Sequence, residues 1–421
     1  MSLPPINPCN IDVSRYVALG DSITSGYMDG ALYHEGQQHA YPLILATQFS
    51  RKNEVIFNQP GMLPDSVGVN LDGESRLVMK ATDDPERFIL SYLAPRGDIR
   101  ALTENHYLHQ GPYNNMGVPG AKAITAVMHG FGNPLNGPGY YNPFFTRMAS
   151  NPAKASMLSD ALLMDPTFFS LFIGNNDALG FALSGGTMNA ITLPADFESS
   201  FKTIVNALTR NQAKGIVANL PSVVDIPYFM TIPYNGLLLT ADGAETLNST
   251  YASAGIHFTE GTNSFVVEDP FVQPGGIRQL EPGELVLLDL MLDEEKELYL
   301  SGKQAIPKKY SLFHGQLQQT QNAIDAYNTV IHAVAEEKNL ALVDIRGLLK
   351  TAKPDRIYNP ETLNIDYARK GIFSLDGLHP NCFGQALMAN EFIRVINSAF
   401  HCDFEVVRSH RYKGIEFPRV R

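Results

Sequence analysis

The sequence predicts an α/β protein built on a five-stranded parallel sheet with helices on both faces. Short apolar runs rich in β-branched and aromatic residues alternate with longer amphipathic segments along most of the 421 residues. That alternation is the signature of a parallel sheet with crossover helices. Several apolar runs also stop abruptly at small polar residues, as in "YVALGDS" and "FFSLFIGNN". The overall make-up, 44% hydrophobic and 18% charged, is that of a globular chain rather than a disordered one.

In chain order, "YVALG" (16–20) reads as a short buried strand, "YPLILATQFSRK" (41–52) as a helix and "NEVIFN" (53–58) as a second strand. "FFSLFIG" (168–174) is a third strand. "ADFESSFKTIVNALTRNQA" (195–213) has the 3.6-residue period of an amphipathic helix, and "KGIVANLP" (214–221) follows as a fourth strand. "HGQLQQTQNAIDAYNTVIHAVAEEKN" (314–339) is a long amphipathic helix, "LALVDIRG" (340–347) the fifth strand, and a last helix begins near Phe383. One α/β domain over 13–421 is expected, interrupted by two stretches that break the alternation. Residues 59–111 are rich in turn formers and read as an inserted loop region. Residues 222–312, with a hairpin expected around "HFTEGTNSFVVEDP", read as an inserted cap or subdomain.

Charge and cysteine content narrow the function. A formal charge of −11 argues against a nucleic-acid partner, which needs a basic surface. The basic tail "VVRSHRYKGIEFPRVR" departs from this balance and reads as a solvated face. Cys9, Cys382 and Cys402 form no disulfide framework and no paired metal spacing. A helix between Cys382 and Cys402 would hold them roughly 25–30 Å apart, too far for a direct bridge. The start, "MSLPPINPCN", has neither the basic nor the apolar region of a signal peptide, and no apolar run reaches membrane-spanning length. A soluble protein is expected, and a secreted or periplasmic one if a leader has been trimmed. Compartment and oligomeric state stay open.

Four short stretches bear chemistry. Gly20-Asp21-Ser22 directly follows the first strand, where open α/β sheets bind their ligands. Alone the tripeptide is weak, since chance supplies it in roughly one chain in ten of this length. "NNMGVPGAKA" places Gly117 and Gly120 in a turn, "FIGNNDALG" puts Asn176 at the end of the third strand, and "SLDGLHPNCFGQAL" sets Asp376 three residues before His379. A serine hydroxyl needs a base within hydrogen-bond reach, histidine titrates in the right range, and a carboxylate on the other ring nitrogen fixes the tautomer. An oxyanion would be met by the N–H groups of Ser22 and Gly120 and by the Asn176 amide. Read one at a time, each stretch has a plain alternative: a strand-ending turn at Ser22, a backbone requirement at Gly117, a helix cap at Asn176, a surface pair at Asp376 and His379. "HEGQQH" (34–39) lacks the i, i+4 histidine spacing of a zinc protease and reads as a loop bordering the site.

Taken in order, "GDSIT", "NNMGVPGAKA", "GNND" and "DGLHP" resemble the conserved blocks of the SGNH hydrolases, the GDSL lipases and esterases. The namesake motif has leucine after the serine, where Ile23 stands here. The resemblance implies a flavodoxin-like three-layer α/β/α sandwich, ester hydrolysis through an acyl-enzyme, and no metal or other cofactor. It implies Ser22 as nucleophile, Asp376 and His379 as its partners, and Ser22, Gly120 and Asn176 as the oxyanion hole. The substrate expected is a small-molecule ester; acyl, aryl, acetylated-sugar and lysophospholipid esters all remain open. Two other readings use the same sequence: a binding module that keeps the fold without turnover, and an envelope-associated protein acting through 222–312.

Overall fold

The computed structural model describes residues 9–81, 88–99, 111–273, 276–351 and 371–415. The central sheet holds β1 (Tyr16–Gly20), β2 (Asn115–Gly117), β3 (Phe168–Phe172), β4 (Lys214–Ala218) and β5 (Ala341–Val343), all parallel. Their spatial order is β5-β4-β3-β1-β2, the flavodoxin-like order, whose direction of winding reverses beside β1. The strands are buried runs because helices cover both faces. On one face lie α2 (Tyr41–Phe49) and α6 (Cys382–Phe400), joined by the stacked rings of Tyr41 and Phe392. On the other lie α3 (Asn175–Leu183), α4 (Pro194–Leu208) and α5 (His314–Glu337), where Phe197 stacks on Tyr327. A four-residue helix, α1 (Ser22–Ser25), follows β1.

Register sets the site. Gly20 is level with Gly117 on one side and with Phe172 on the other. Three carboxyl ends therefore finish side by side, and the segments after them carry Ser22, Gly120 and Asn176. Gly117 is needed for this closeness: a Cβ there would lie 2.3 Å from the Ser25 amide nitrogen.

The expected second strand at 53–58 does not join the sheet; β2 takes the place beside β1. Ile56 points into solvent, so a strand there would leave one apolar face unburied, whereas every residue of β2 is buried. Phe57 still stacks on Tyr16, a contact that needs no ladder. The expected hairpin at 257–270 also dissolves: Gly261–Asn263 pairs with Leu237–Leu239, and Val266–Glu268 with Ile277–Gln279. "HEGQQH" contains a short helix, His34–Gln38, rather than a loop. Gly36 permits it by packing on Gly26, whose carbonyl a Cβ would meet at 2.5 Å. The absence of a disulfide is overturned too. Cys9 bonds Cys402, 393 residues away, because the end of α6 returns to the amino terminus, where Asn10 donates to the Phe400 carbonyl at 3.0 Å. Cys382 remains a buried free thiol.

The two interruptions have structure of their own. In the first, Leu77–Ala81 pairs antiparallel with Phe88–Tyr92. The second buries Phe265, Val267, Leu287 and Leu290 among others. It is pinned by Arg278, which grips Glu284 through two hydrogen bonds of 2.7 and 2.8 Å and Asp269 through a third. Of the basic tail, residues 406–415 are mostly exposed; 416–421 lie outside the described residues.

Candidate active site

Ser22 is the first residue of α1, which Asp21 caps by accepting the Ile23 N–H at 3.1 Å. The Ser22 hydroxyl lies 2.8 Å from Nε2 of His379, 357 residues away. The imidazole Nδ1 lies 2.8 Å from Oδ2 of Asp376. Both side chains come from the turn before α6, which is closed by the Ser374 N–H donating to the His379 carbonyl at 2.7 Å. Asp376 and His379, three residues apart in sequence, thus face each other across one tight turn.

Asp376 is held from several sides. Its Oδ1 accepts the Leu378 and His379 amides and the Ser374 hydroxyl, and its Oδ2 accepts the Gly30 amide as well as facing the ring. Burial alone would raise its carboxyl, but the His379 imidazole and these hydrogen bonds win and hold it below the usual range. Tyr27 packs its ring on the imidazole, with centroids 4.7 Å apart, and anchors its hydroxyl on the Gly30 carbonyl at 2.6 Å. Sequence reasoning passed over Tyr27, Asp29, Gly30 and Ser374. Only the closeness of "YMDG" to the serine, and of Ser374 to Asp376, pointed to them.

On the opposite side, Gly120 adopts φ +78°, a conformation that favours glycine. Among the described residues no acceptor takes the Ser22 or the Gly120 N–H. Asn176 donates one Nδ2 hydrogen to the Ala121 carbonyl at 3.0 Å. That bond ties α3 to the Gly120 turn and leaves the second amide hydrogen without an acceptor among the described residues. The neighbouring Asn175 turns inward and donates to Asp21 at 2.8 Å. Burial pushes the Asp21 carboxyl up to about 6 despite that amide. Asp177, which accepts the Ala123 N–H, is likewise pushed up to about 6 by burial.

Ser22, Gly120, Asn176 and His379 all border one cavity of about 570 Å³. Both interruptions supply walls to it: Leu71 and Tyr92 from the first, Tyr228 and Leu292 from the second. These side chains gather at the carboxyl end of a doubly wound sheet, where such folds bind their ligands. A family model, GDSL-like lipase/acylhydrolase, matches residues 16–269. The chain belongs to this family, and it is an ester hydrolase.

No curated protein matches the chain. Among solved structures it is similar to LAE5, an alpha/beta hydrolase enzyme from the metagenome of Lake Arreo, Spain. Identity there is 12% over 91% of this chain and 95% of that one, with a TM-score of 0.37. It is also similar to the acetyl xylan esterase AlAXEase (13% identity, 90% and 98% coverage, TM-score 0.34). A third is the lipase/acylhydrolase from Enterococcus faecalis (12% identity, 96% and 98% coverage, TM-score 0.35).

Proposed function

We propose that the protein cleaves small-molecule carboxylic esters by acyl transfer to Ser22. The observation that carries this reading is the unbroken hydrogen-bonded line from the Ser22 hydroxyl through the His379 imidazole to the Asp376 carboxylate. Ser22 Oγ adds to the ester carbonyl while its proton passes to Nε2 of His379, giving a tetrahedral oxyanion. Collapse breaks the bond to the alcohol oxygen, which leaves with the proton from Nε2. Water then adds to the acyl-serine with Nε2 taking its proton, and a second collapse returns that proton to Ser22 and releases the acid. Asp376 keeps Nδ1 protonated and stabilises the imidazolium at each transfer. The oxyanion is met by the Ser22 and Gly120 N–H groups and the spare Asn176 amide hydrogen. The partly apolar cavity walls suit an organic substituent beside the ester.

The test is labelling by a fluorophosphonate probe together with turnover of p-nitrophenyl acetate. Both should occur in the native protein and vanish in Ser22→Ala. Labelling elsewhere, or turnover that survives Ser22→Ala, would overturn the assignment.

A further inference from the structure

The cavity beside Ser22 extends over the end of the sheet. Its floor follows neighbouring strands: Phe172 ends β3, Pro221 stands three residues past β4 and Ile345 two past β5, and all three border it. Strands lie about 4.8 Å apart, so this floor runs roughly 14 Å from β1, which leads into Ser22, to β5. One wall is α3. Asn176, Leu179 and Leu183, spaced three and four apart, share one helix face and all border the cavity. A second wall is the short helix Ile345–Thr351, which contributes Ile345 and Leu349 at i, i+4 spacing. Its start is fixed to the β4 exit: the Asn219 side chain donates to Asp344 at 2.7 Å and accepts the Arg346 N–H at 3.0 Å. Phe172, Leu179, Ile345 and Leu349 are buried core side chains, yet they border open space. Interiors normally fill such volumes, and an apolar void left in one takes apolar guests.

The carboxylates stand elsewhere. Among the described lining residues they are Asp72 and Asp289, from the two interruptions, and Asp376, from the turn before α6. A cavity divided in this way suits an ester with one apolar and one polar half. The departing alcohol takes its proton from Nε2, so it lies by the His379 turn. There Tyr228 donates its backbone N–H to the Gly377 carbonyl at 2.9 Å, with Asp289 beside the Tyr228 ring. The acyl chain starts instead from the carbon whose oxygen is turned to Asn176, and Asn176 opens the α3 stripe. Seven positions from Asn176 to Leu183 span roughly 10 Å. C–C bonds of about 1.5 Å, laid zigzag, fit about eight carbons into that length. We propose that the slot bounded by α3 and the helix Ile345–Thr351 takes a medium-length fatty acyl chain, with Leu179, Leu183 and Leu349 setting its length. This names the substrate class for the acyl-transfer reading and rests on it. A hydroxylated acyl group would give up water there without gaining a partner. An acetyl group would leave the slot unfilled.

The test uses two isomers, ethyl octanoate and octyl acetate, which carry the same chain on opposite sides of the carbonyl. Each buried methylene is worth roughly a factor of four, so kcat/KM for ethyl octanoate should be the higher by more than about tenfold. Along p-nitrophenyl esters from acetate to palmitate, kcat/KM should peak at about eight carbons. Leu183→Trp, which fills the far end of the slot, should move that peak to about four. An isomer ratio below about tenfold, or a peak at acetate, with p-nitrophenyl acetate still hydrolysed, overturns the slot and leaves the serine reading intact. A peak unmoved in folded Leu183→Trp overturns the assignment of its far end. If no p-nitrophenyl ester is turned over and Ser22 is unlabelled, the serine reading has failed instead. Calorimetry of octanamide and butanamide with Ser22→Ala then decides the slot without turnover. Tighter binding of octanamide, by about tenfold or more and lost in Ser22→Ala/Leu183→Trp, supports it; a smaller preference overturns it.

Discussion

The backbone amide of Gly30 donates to Oδ2 of Asp376 at 2.8 Å, across 346 residues of chain. The same turn accepts and gives two more bonds: the Asp29 N–H donates to the Ser374 hydroxyl, and Asp29 Oδ1 accepts the Leu375 N–H, both at 2.9 Å. The segment just after Ser22 is thereby laced to the turn bearing its proposed base and acid. Ser22 and His379 are held in register by this lacing, not by their own hydrogen bond alone.

Removal of the base tests the reading most directly. His379→Ala should lower kcat for p-nitrophenyl acetate by several orders of magnitude, the scale of such knockouts in serine hydrolases. Its unfolding midpoint should barely move, because the turn is closed by backbone bonds. A loss of tenfold or less would mean that another base operates.

Asn176→Ala should cost roughly 10²–10³ in kcat if its amide meets the oxyanion. It should also destabilise slightly, by about 1 kcal/mol, through loss of the bond to the Ala121 carbonyl. An unchanged kcat with a lowered melting temperature would reduce Asn176 to a tie between α3 and the Gly120 turn.

Ser374→Ala removes a fully buried hydroxyl that donates to Asp376 and accepts the Asp29 N–H. The acid would turn more freely, so kcat should fall by about tenfold with little change in KM, and Ser374→Thr should restore part of it. A change in stability with full kcat would make the hydroxyl purely structural.

The pH dependence of stability follows from Asp21. Its folded-state carboxyl is pushed up to about 6 by burial, against roughly 3.9 in an unfolded chain. The folded protein thus takes up this proton first as pH falls. The contribution to stability is fully present below about 4, declines as pH rises towards 6, and is lost above that. Asp29 and Asp177, both also pushed up to about 6 by burial, act in the same direction. Asp376 acts oppositely, but only below the usual carboxylate range. Urea midpoints should therefore fall between pH 4.5 and pH 7, and less steeply in Asp21→Asn. An equal slope in both proteins would place the titration elsewhere.

The Cys9–Cys402 bond closes almost the whole chain into one loop. Cys402→Ser should lower the unfolding midpoint by a few degrees, corresponding to about 2–5 kcal/mol. Activity at moderate temperature should persist, since the bridge lies at the chain ends and not at the cavity. An unchanged midpoint would show that the packing of α6 alone holds these ends.

Much of the fold and the core of the site were legible because they are encoded locally. β-Branched runs name buried strands, 3.6-residue periodicity names helices, and "GDSIT" and "DGLHP" each place a reactive side chain at the edge of an element. The errors fell where local pattern was ambiguous. Val55-Ile56-Phe57 has the composition of a strand, yet exposure of Ile56 gave the sheet position to Asn115–Gly117. The strands of 257–270 were recognisable, but not their partners, because pairing depends on contacts with residues far away in sequence.

The sequence by itself determined the α/β class, the sites of turn and helix entry, and the residue types able to do the chemistry. Tertiary structure alone decided the distances: Ser22 beside His379, Gly30 on Asp376, Cys9 against Cys402, and Asp72 with Asp289 across one cavity. Those relations depend on how parallel strands align and how helices pack between segments hundreds of residues apart. No short stretch of sequence records the closing of such long loops; the assembled core does.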